Sequence, residues 1–501
     1  MSGKTSEDYS IQTGAAPIPS EKSDPDAKPA GDDSIIDFEG PDDPLNALNW
    51  PFRKKIVVTV LYSFCTMGTT WASTIYNSGL PQVERHFGVG REVALLGMSF
   101  FLLGNAFGPL LWAPMSEAYG RKPSILYPLF GLMVFSFASA TAKDIQTLLI
   151  TRFFAGVFGG ASLSNVGGVL ADMWPATQRG AALLIWGISV IVGPLIAPIV
   201  GGALVINMPT VGWRWTEYIT GIILAVILVA GFIWADESYP PVLLARKANR
   251  VRMETKNWAI HSRSQETETS FKAMASKYLI VPIEMLFDPI CFFINLYSAF
   301  CYAIIYLAII AFPIEFIEVR HWNAVVGSTP FMAIVVGVGF GAGVIIWGQL
   351  YYRKCLIAND NKLVPEARLM PMMIGSTFFA AGLFIMGWTA KLSIHWIAFS
   401  IGAACLGLGF FSILQSALGY LVDTYLMLAA SALAANMFMR SILAAAFPLF
   451  GHALFDRLGL DWGLSLIGFF AVAMIPIPFL FFVFGKRIRA LGKRSKMSFI
   501  P

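Results

Sequence analysis

The chain has 501 residues, of which 56% are hydrophobic and only 13% charged, with a formal net charge of +5. A soluble domain is nearer a quarter charged, so these charges cannot cover a water-facing surface of this size. The slight positive balance is also no nucleic-acid footprint.

Residues 1–42 are rich in Ser, Asp, Pro, Lys and Gly and read as a disordered tail with no charged-then-apolar leader pattern. Six apolar runs follow, near 56–79, 92–113, 124–141, 146–171, 180–205 and 214–235. Each is long enough to cross a bilayer, and without water its backbone must be satisfied as a helix. The first run carries Thr66, Thr70, Ser73 and Asn77 on one helical face. Gly104 and Gly108 lie four apart in the second run, Gly156 and Gly160 in the fourth. That spacing suits close helix packing. Arg152 also sits inside the fourth run, on the face of Gly156 and Gly159. Within the fifth run, the stretch 193–202 packs two prolines and three glycines (Gly193, Pro194, Pro198, Gly201, Gly202), a composition that bends a helix or opens a tight interface.

Residues 236–288 are polar and form the longest break. Six more runs follow, near 289–314, 326–351, 369–389, 395–420, 426–450 and 463–485, and residues 486–501 form a basic tail. The seventh run starts after Asp288-Pro289 and places Asn295, Ser298, Tyr302 and Tyr306 on one face. The tenth carries Ser412, Gln415, Ser416 and Gly419. The eleventh holds Asn436 and, one turn on, Arg440.

The reading is an all-α membrane protein: a six-helix bundle over 43–235, a central loop over 236–288 and a second bundle over 289–485. With the amino terminus cytoplasmic, 24 near-membrane Lys and Arg fall on that side. Only seven (Arg85, Arg91, Lys143, Arg214, Arg320, Lys391 and Arg457) fall on the other. The positive-inside rule then puts both termini and the central loop in the cytoplasm.

Two six-helix sets place a substrate between the halves. A polar stripe gains nothing facing lipid, so Asn77, Asn295, Tyr302, Tyr306 and Gln415 are candidate substrate residues; interhelical hydrogen bonding is the plainer alternative. Arg152 and Arg440 each need a buried partner, since an arginine at a helix centre costs roughly 2.5–3.5 kcal/mol on insertion scales. Acids near helix ends are Glu117, Asp172, Glu217, Glu315 and Asp423. A proton-coupled device needs such an acid, and Glu217 and Asp423 are the candidates. The plain alternative for Glu217 is a helix-end cap or an ion pair with Arg214. Five cysteines without paired spacing and five scattered histidines give no disulfide framework, metal site or enzymatic cluster. No phosphate-binding loop for ATP occurs. No cofactor is expected, and the energy source would be a proton gradient.

Several strings carry a resemblance. The stretch from Ala113 through Glu117, Gly120, Arg121 and Lys122 resembles the loop between helices 2 and 3 of the major facilitator superfamily, with Ala113, Glu117 and Ala118 departing from the usual residues. Arg152 and Gly156 look like its helix 4 arginine motif, and Gly193 to Gly202 like the antiporter motif of drug exporters, with Ala197 for one glycine. Asn49-Trp50-Pro51, Gly212 to Tyr218, Glu237 to Pro241, Pro365 to Leu369 and Asn436 to Phe450 resemble the fungal twelve-helix drug:proton antiporters, particularly the polyamine- and toxin-exporter branch. The second half has only a degenerate copy of the loop motif, Gly348 to Lys354.

The resemblance implies a major facilitator fold of twelve transmembrane helices, acting as a monomeric proton-coupled exporter of drugs, toxins or secondary metabolites at the plasma membrane. An uptake permease or facilitator, a polyamine exporter and a transport-dead sensor are the alternatives. The polar stripes hold no carboxylate, which favours neutral, amphipathic or anionic cargo over polyamines.

Overall fold

The computed structural model describes residues 35–40, 42–266, 280–359, 364–425 and 428–491. Of the expected tails, residues 1–34, 41 and 492–501 lie outside the described residues, as do 267–279 of the central segment. The first half comprises α1 (Phe52–Ser78), α2 (Arg91–Tyr119), α3 (Arg121–Ala140), α4 (Ile145–Met173), α5 (Ala176–Asn207) and α6 (Gly212–Trp234). The second half begins with α7 (Pro289–Pro313), α8 (Phe331–Ala358), α9 (Met370–Thr389) and α10 (Trp396–Tyr425). Ala429–Met474 then runs helically except at Gly459, whose φ of 73° and ψ of 169° break it. Unbroken, its 46 residues would span roughly 69 Å, over twice the bilayer core of about 30 Å. The break divides it into α11 (429–458) and α12 (460–474, continued by Pro476–Leu491). Among the described residues, eleven stretches are long and apolar enough to span a membrane, and the last, of 62 residues, is long enough to cross twice. Twelve spans result.

In the first half α1 packs on α5, α2 on α4, and α3 on α4 and α6. The second half repeats this order, with α7 on α11, α8 on α10, and α9 on α10 and α12. The halves meet where α2 crosses α11 and where α5 crosses α8. We call the end where α1 starts the terminal face, and the other the distal face.

The glycine pairs explain the tightest crossing. A Cβ on Gly156 would lie 2.0 Å from Phe101 O, and one on Gly104 2.2 Å from Phe153 O. Gly108 and Gly160 face each other one turn on. At these four glycines only backbone fits between α2 and α4, and such close contact drives association where lipid is as apolar as the helix. In the second half Gly337 and Gly407 do the same for α8 and α10: a Cβ there would meet Ala404 O at 1.9 Å and Ile334 O at 2.3 Å.

The segment read as a central loop contains a helix, Pro240–Thr255, begun by two prolines at its first positions, where fixed φ and a missing N–H carry no penalty. Lys247 on it binds Glu39 at 2.7 Å, and Ile36 N donates to His261 O at 2.9 Å. The end of the expected tail is thus folded onto the central segment. Asp43 accepts from the backbone N–H groups of Leu45 and Glu39, which hold its carboxyl below the usual carboxylate range.

Candidate functional site

The two intramembrane arginines are treated in opposite ways. Arg152 is 1% exposed and every nitrogen of its guanidinium is engaged. Its Nη1 donates to Glu217 Oε1 at 3.1 Å and to Ala72 O at 2.9 Å. Nε reaches Gly97 O at 3.2 Å, and Nη2 reaches Ser73 O at 3.4 Å. The rings of Tyr76 and Phe101 flank it, 4.9 and 4.6 Å from the guanidinium carbon. One side chain of α4 therefore ties α1, α2 and α6 together. Glu217 is the acid it uses. Arg214 turns away to Ala140 O and Ala142 O, so the Arg214 pairing is not formed.

Arg440 on α11 is 6% exposed and has no such shell. Its guanidinium lies over the Tyr302 ring, 4.5 Å from the centroid, and Nε has no partner among the described residues. Tyr302 and Tyr306 stand one turn apart on α7, ring centroids 5.2 Å apart and hydroxyls at 3.4 Å. The Tyr306 hydroxyl shares a hydrogen bond with Ser73 Oγ of α1 at 3.1 Å. A continuous polar chain results, running from Glu217 through Arg152 and the α1 backbone at residues 72–73 to Ser73, Tyr306, Tyr302 and Arg440. It crosses from one half to the other.

The remaining candidates divide. Asn77 donates to Ile309 O at 3.3 Å, closing α1 against α7 one turn nearer the distal face. Gln415 lies over Gly187 of α5, whose Cβ would be 2.2 Å from its amide nitrogen. Asn295 turns into the second half, where Asn436 Nδ2 donates to Asn295 Oδ1 at 3.0 Å and to Ser298 Oγ at 3.1 Å. That pairing binds α7 to α11. Trp186 of α5 donates from Nε1 to Thr66 Oγ1 at 3.1 Å and packs with Leu163, Val190 and Met437 across the halves.

The α5 motif lies along α1. A Cβ on Gly193 would be 2.4 Å from Thr70 Oγ1, and one on Gly201 2.6 Å from Ser78 Oγ. Pro198 has no N–H, so the carbonyl of Pro194 loses its helical donor. Thr74 Oγ1 supplies one at 3.1 Å, and Ser78 Oγ donates to Pro198 O at 3.3 Å. Gly202 looks the other way: a Cβ there would be 2.8 Å from Ala324 O in the short helix Ala324–Ser328 of the second half.

At the terminal face, Gly120 has φ 105°, and a Cβ there would strike the Glu237 carboxylate at 2.3 Å. That carboxylate accepts from Arg121 N at 2.8 Å and Lys122 N at 3.2 Å, an anion seated on the exposed N–H groups of α3. Arg121 Nε donates to Asp172 Oδ2 at 2.9 Å, and its guanidinium lies over Tyr239. Glu117 does not supply this cap. Lys122 Nζ reaches Phe232 O. The second half repeats the latch with different parts: Arg368 Nε donates to Asp423 Oδ2 at 2.9 Å and stacks on Tyr352. Asp423 is thereby the counterpart of Asp172 and is engaged at the terminal face, away from Arg440. At the distal end of α7, Glu315 is fully buried and accepts from Arg320 at 2.7 Å through one oxygen only; Oε2 has no partner among the described residues.

Comparison with known proteins agrees with this architecture. A profile described as Major Facilitator Superfamily matches residues 62–448. The efflux pump bik6 of Gibberella fujikuroi is 46% identical over 466 residues, 93% of this chain and 96% of that one. The citrinin biosynthesis cluster MFS transporter mrr1 of Monascus ruber is 40% identical over 466 residues, covering 92% of each chain. Among solved structures, a partially occluded inward open conformation of the xylose transporter XylE from E. coli superposes with a TM-score of 0.60 at 14% identity, covering 86% of this chain and 98% of that one. At that identity it speaks for the fold alone.

Proposed function

The chain belongs to the major facilitator superfamily and is a multi-pass membrane transporter, not an enzyme; from that premise we propose that it is a proton-coupled exporter of small organic molecules such as drugs, toxins or secondary metabolites. The observation that carries this reading is the polar chain joining Glu217 and Arg152 to Tyr306, Tyr302 and Arg440. It links a titratable carboxyl in one half to a polar–aromatic site between the halves, which is what proton-coupled alternating access needs. Relatives named as an efflux pump and a biosynthesis-cluster transporter support the outward direction. The substrate and the bilayer are its partners, the protein works as a monomer in the plasma membrane, and the proton gradient drives it. The hydrogen bond between Ser73 and Tyr306 and the one from Asn77 to Ile309 O close α1 against α7 towards the distal face.

The terminal face is cytoplasmic in this reading, which the 24-to-7 distribution of Lys and Arg supports. Leu392→Cys, 69% exposed at the distal face, should react with an impermeant thiol reagent in intact cells. Met253→Cys, 73% exposed, should react only after permeabilisation. The reverse pattern inverts the topology.

The two glycines at the end of the α5 motif separate stability from motion. Gly201→Leu overpacks α5 against α1 within one half and should cost on the order of 1–3 kcal/mol, seen as a lower melting temperature. Gly202→Leu instead wedges α5 against residue 324 of the other half. It should keep near wild-type abundance and lose transport, because the distal side no longer closes. Wild-type transport by Gly202→Leu would show the contact to be dispensable.

The deciding experiment is transport in proteoliposomes under an imposed pH gradient, with hydrophobic drugs, organic acids and polyamines as test compounds. Export coupled to protons predicts substrate movement opposite to the proton flow. Movement with the protons makes the protein an uptake symporter. Transport indifferent to the gradient makes it a facilitator.

A further inference from the structure

We propose that Arg440, with the faces of Tyr302 and Tyr306, is the recognition site for an anionic ring compound, so that the cargo is an aromatic acid carrying a carboxylate. The proposal rests on the exporter reading and names its substrate class. The contrast between the two buried arginines carries it. Arg152 has a carboxylate, three backbone carbonyls and two rings, and needs nothing further. Arg440 is also buried, yet among the described residues it has no carboxylate within 4 Å, no hydrogen bond, and an orphaned Nε.

A ring face attracts a cation but leaves its planar donors unfilled. The two buried acids among the described residues of the second half pair with other arginines: Asp423 with Arg368, and Glu315, through one oxygen, with Arg320. A guanidinium held without a counterion between two halves that must separate is completed by an anion arriving from outside. Its fork matches a carboxylate through two parallel hydrogen bonds. The neighbours fit the rest of such a ligand. Tyr302 and Tyr306 offer ring faces beside the guanidinium, and Phe410 stands 6.1 Å from Tyr302. A cationic cargo would meet uncompensated repulsion at this point, since the polar chain from Ser73 to Arg440 contains no carboxylate.

The test uses the purified full chain in detergent and three probes of one shape: naphthoate, naphthamide and naphthylmethylammonium, followed by calorimetry. The wild type should bind naphthoate at least about tenfold more tightly than the neutral amide, as loss of a charged hydrogen-bonded pair implies. The ammonium should bind weakest. Arg440→Gln should bring naphthoate down to the amide's affinity while leaving the amide's own affinity within about twofold. Arg440→Lys should restore part of the preference, because charge returns without the fork. If Arg440→Gln does not accumulate, the wild-type ranking and the lysine variant still decide. Equal binding of the three probes, preference for the ammonium, or an unchanged naphthoate preference in Arg440→Gln overturns the proposal. Gradient-driven export of neutral or cationic compounds, with naphthoate ignored, would sink the anion site and leave the exporter standing. Tight Arg440-dependent naphthoate binding without gradient-driven export would do the opposite.

Discussion

Replacing Gly156 by leucine is expected to remove the protein from the membrane. A Cβ at this position meets Phe101 O at 2.0 Å, Phe101 C at 2.8 Å and Gly104 Cα at 3.1 Å. All three are backbone atoms, so no side chain can swing aside. Overpacking a core commonly costs about 1–3 kcal/mol, and more where only backbone can yield. Against a total stability of roughly 5–15 kcal/mol that is a large fraction. The damage also spreads, because α2 contributes Gly97 O and the Phe101 ring to the Arg152 shell. Separating α2 from α4 exposes that arginine. Gly167→Leu supplies the control: it lies on the same helix, and nothing approaches its Cβ within 4 Å. Membrane abundance and monodispersity in detergent should be near wild type for Gly167→Leu and close to absent for Gly156→Leu. Equal abundance of the two would mean that the α2–α4 crossing is not what holds the first half together.

The spans were legible because lipid leaves the chain no alternative to helices, and charge bias is written at their ends. Even the Gly459 break between α11 and α12 falls where the apolar pattern lapses. The need of Arg152 for an acid was equally plain, and Glu217 was the acid at hand. What the residues could not reveal is which partner each polar group selects. Asn295, Tyr302 and Tyr306 form a single stripe on α7, yet Asn295 joins Asn436 while Tyr306 joins Ser73 across the halves. The direction of a side chain within a face depends on the neighbouring helix. The role of Glu237 was hidden because its carboxylate caps a helix that starts 116 residues earlier. A signal existed: α3 begins at Gly120-Arg121-Lys122-Pro123 with no Ser, Thr, Asp or Asn to cap it, so an acceptor had to come from elsewhere. The second-half latch was missed for a similar reason. Its arginine, Arg368, precedes α9 outside the degenerate motif Gly348 to Lys354, and only the matching positions of Asp172 and Asp423 pointed to it.

Glu217→Gln should abolish the response of export to a pH gradient while leaving gradient-free substrate exchange in place. Glu217 is buried, and its Oε1 takes Arg152 Nη1 at 3.1 Å. The same nitrogen holds Ala72 O, and Nη2 holds Ser73 O, the residue whose hydroxyl touches Tyr306. Protonating Glu217 removes the charge that neutralises Arg152, and the guanidinium must then lean harder on the α1 carbonyls or admit water. Either response bears on α1 where it meets α7. Glutamine keeps the shape and one acceptor oxygen but cannot titrate, so the protein is fixed in one branch of that switch. Removing one partner of a buried pair typically costs about 3–5 kcal/mol, so a fall in abundance must be separated from a loss of coupling. The double variant Arg152→Gln with Glu217→Gln does this, since it leaves no uncompensated charge. If the pair only braces the first half, the double variant should recover abundance and gradient-driven export together. If Glu217 carries the coupling proton, abundance should recover, export should remain at least about tenfold below wild type, equivalent to an effective barrier higher by roughly 1.4 kcal/mol or more, and exchange should persist. Gradient-driven export by Glu217→Gln at the wild-type rate would exclude Glu217 and direct attention to Glu315, whose second oxygen is buried without a partner among the described residues.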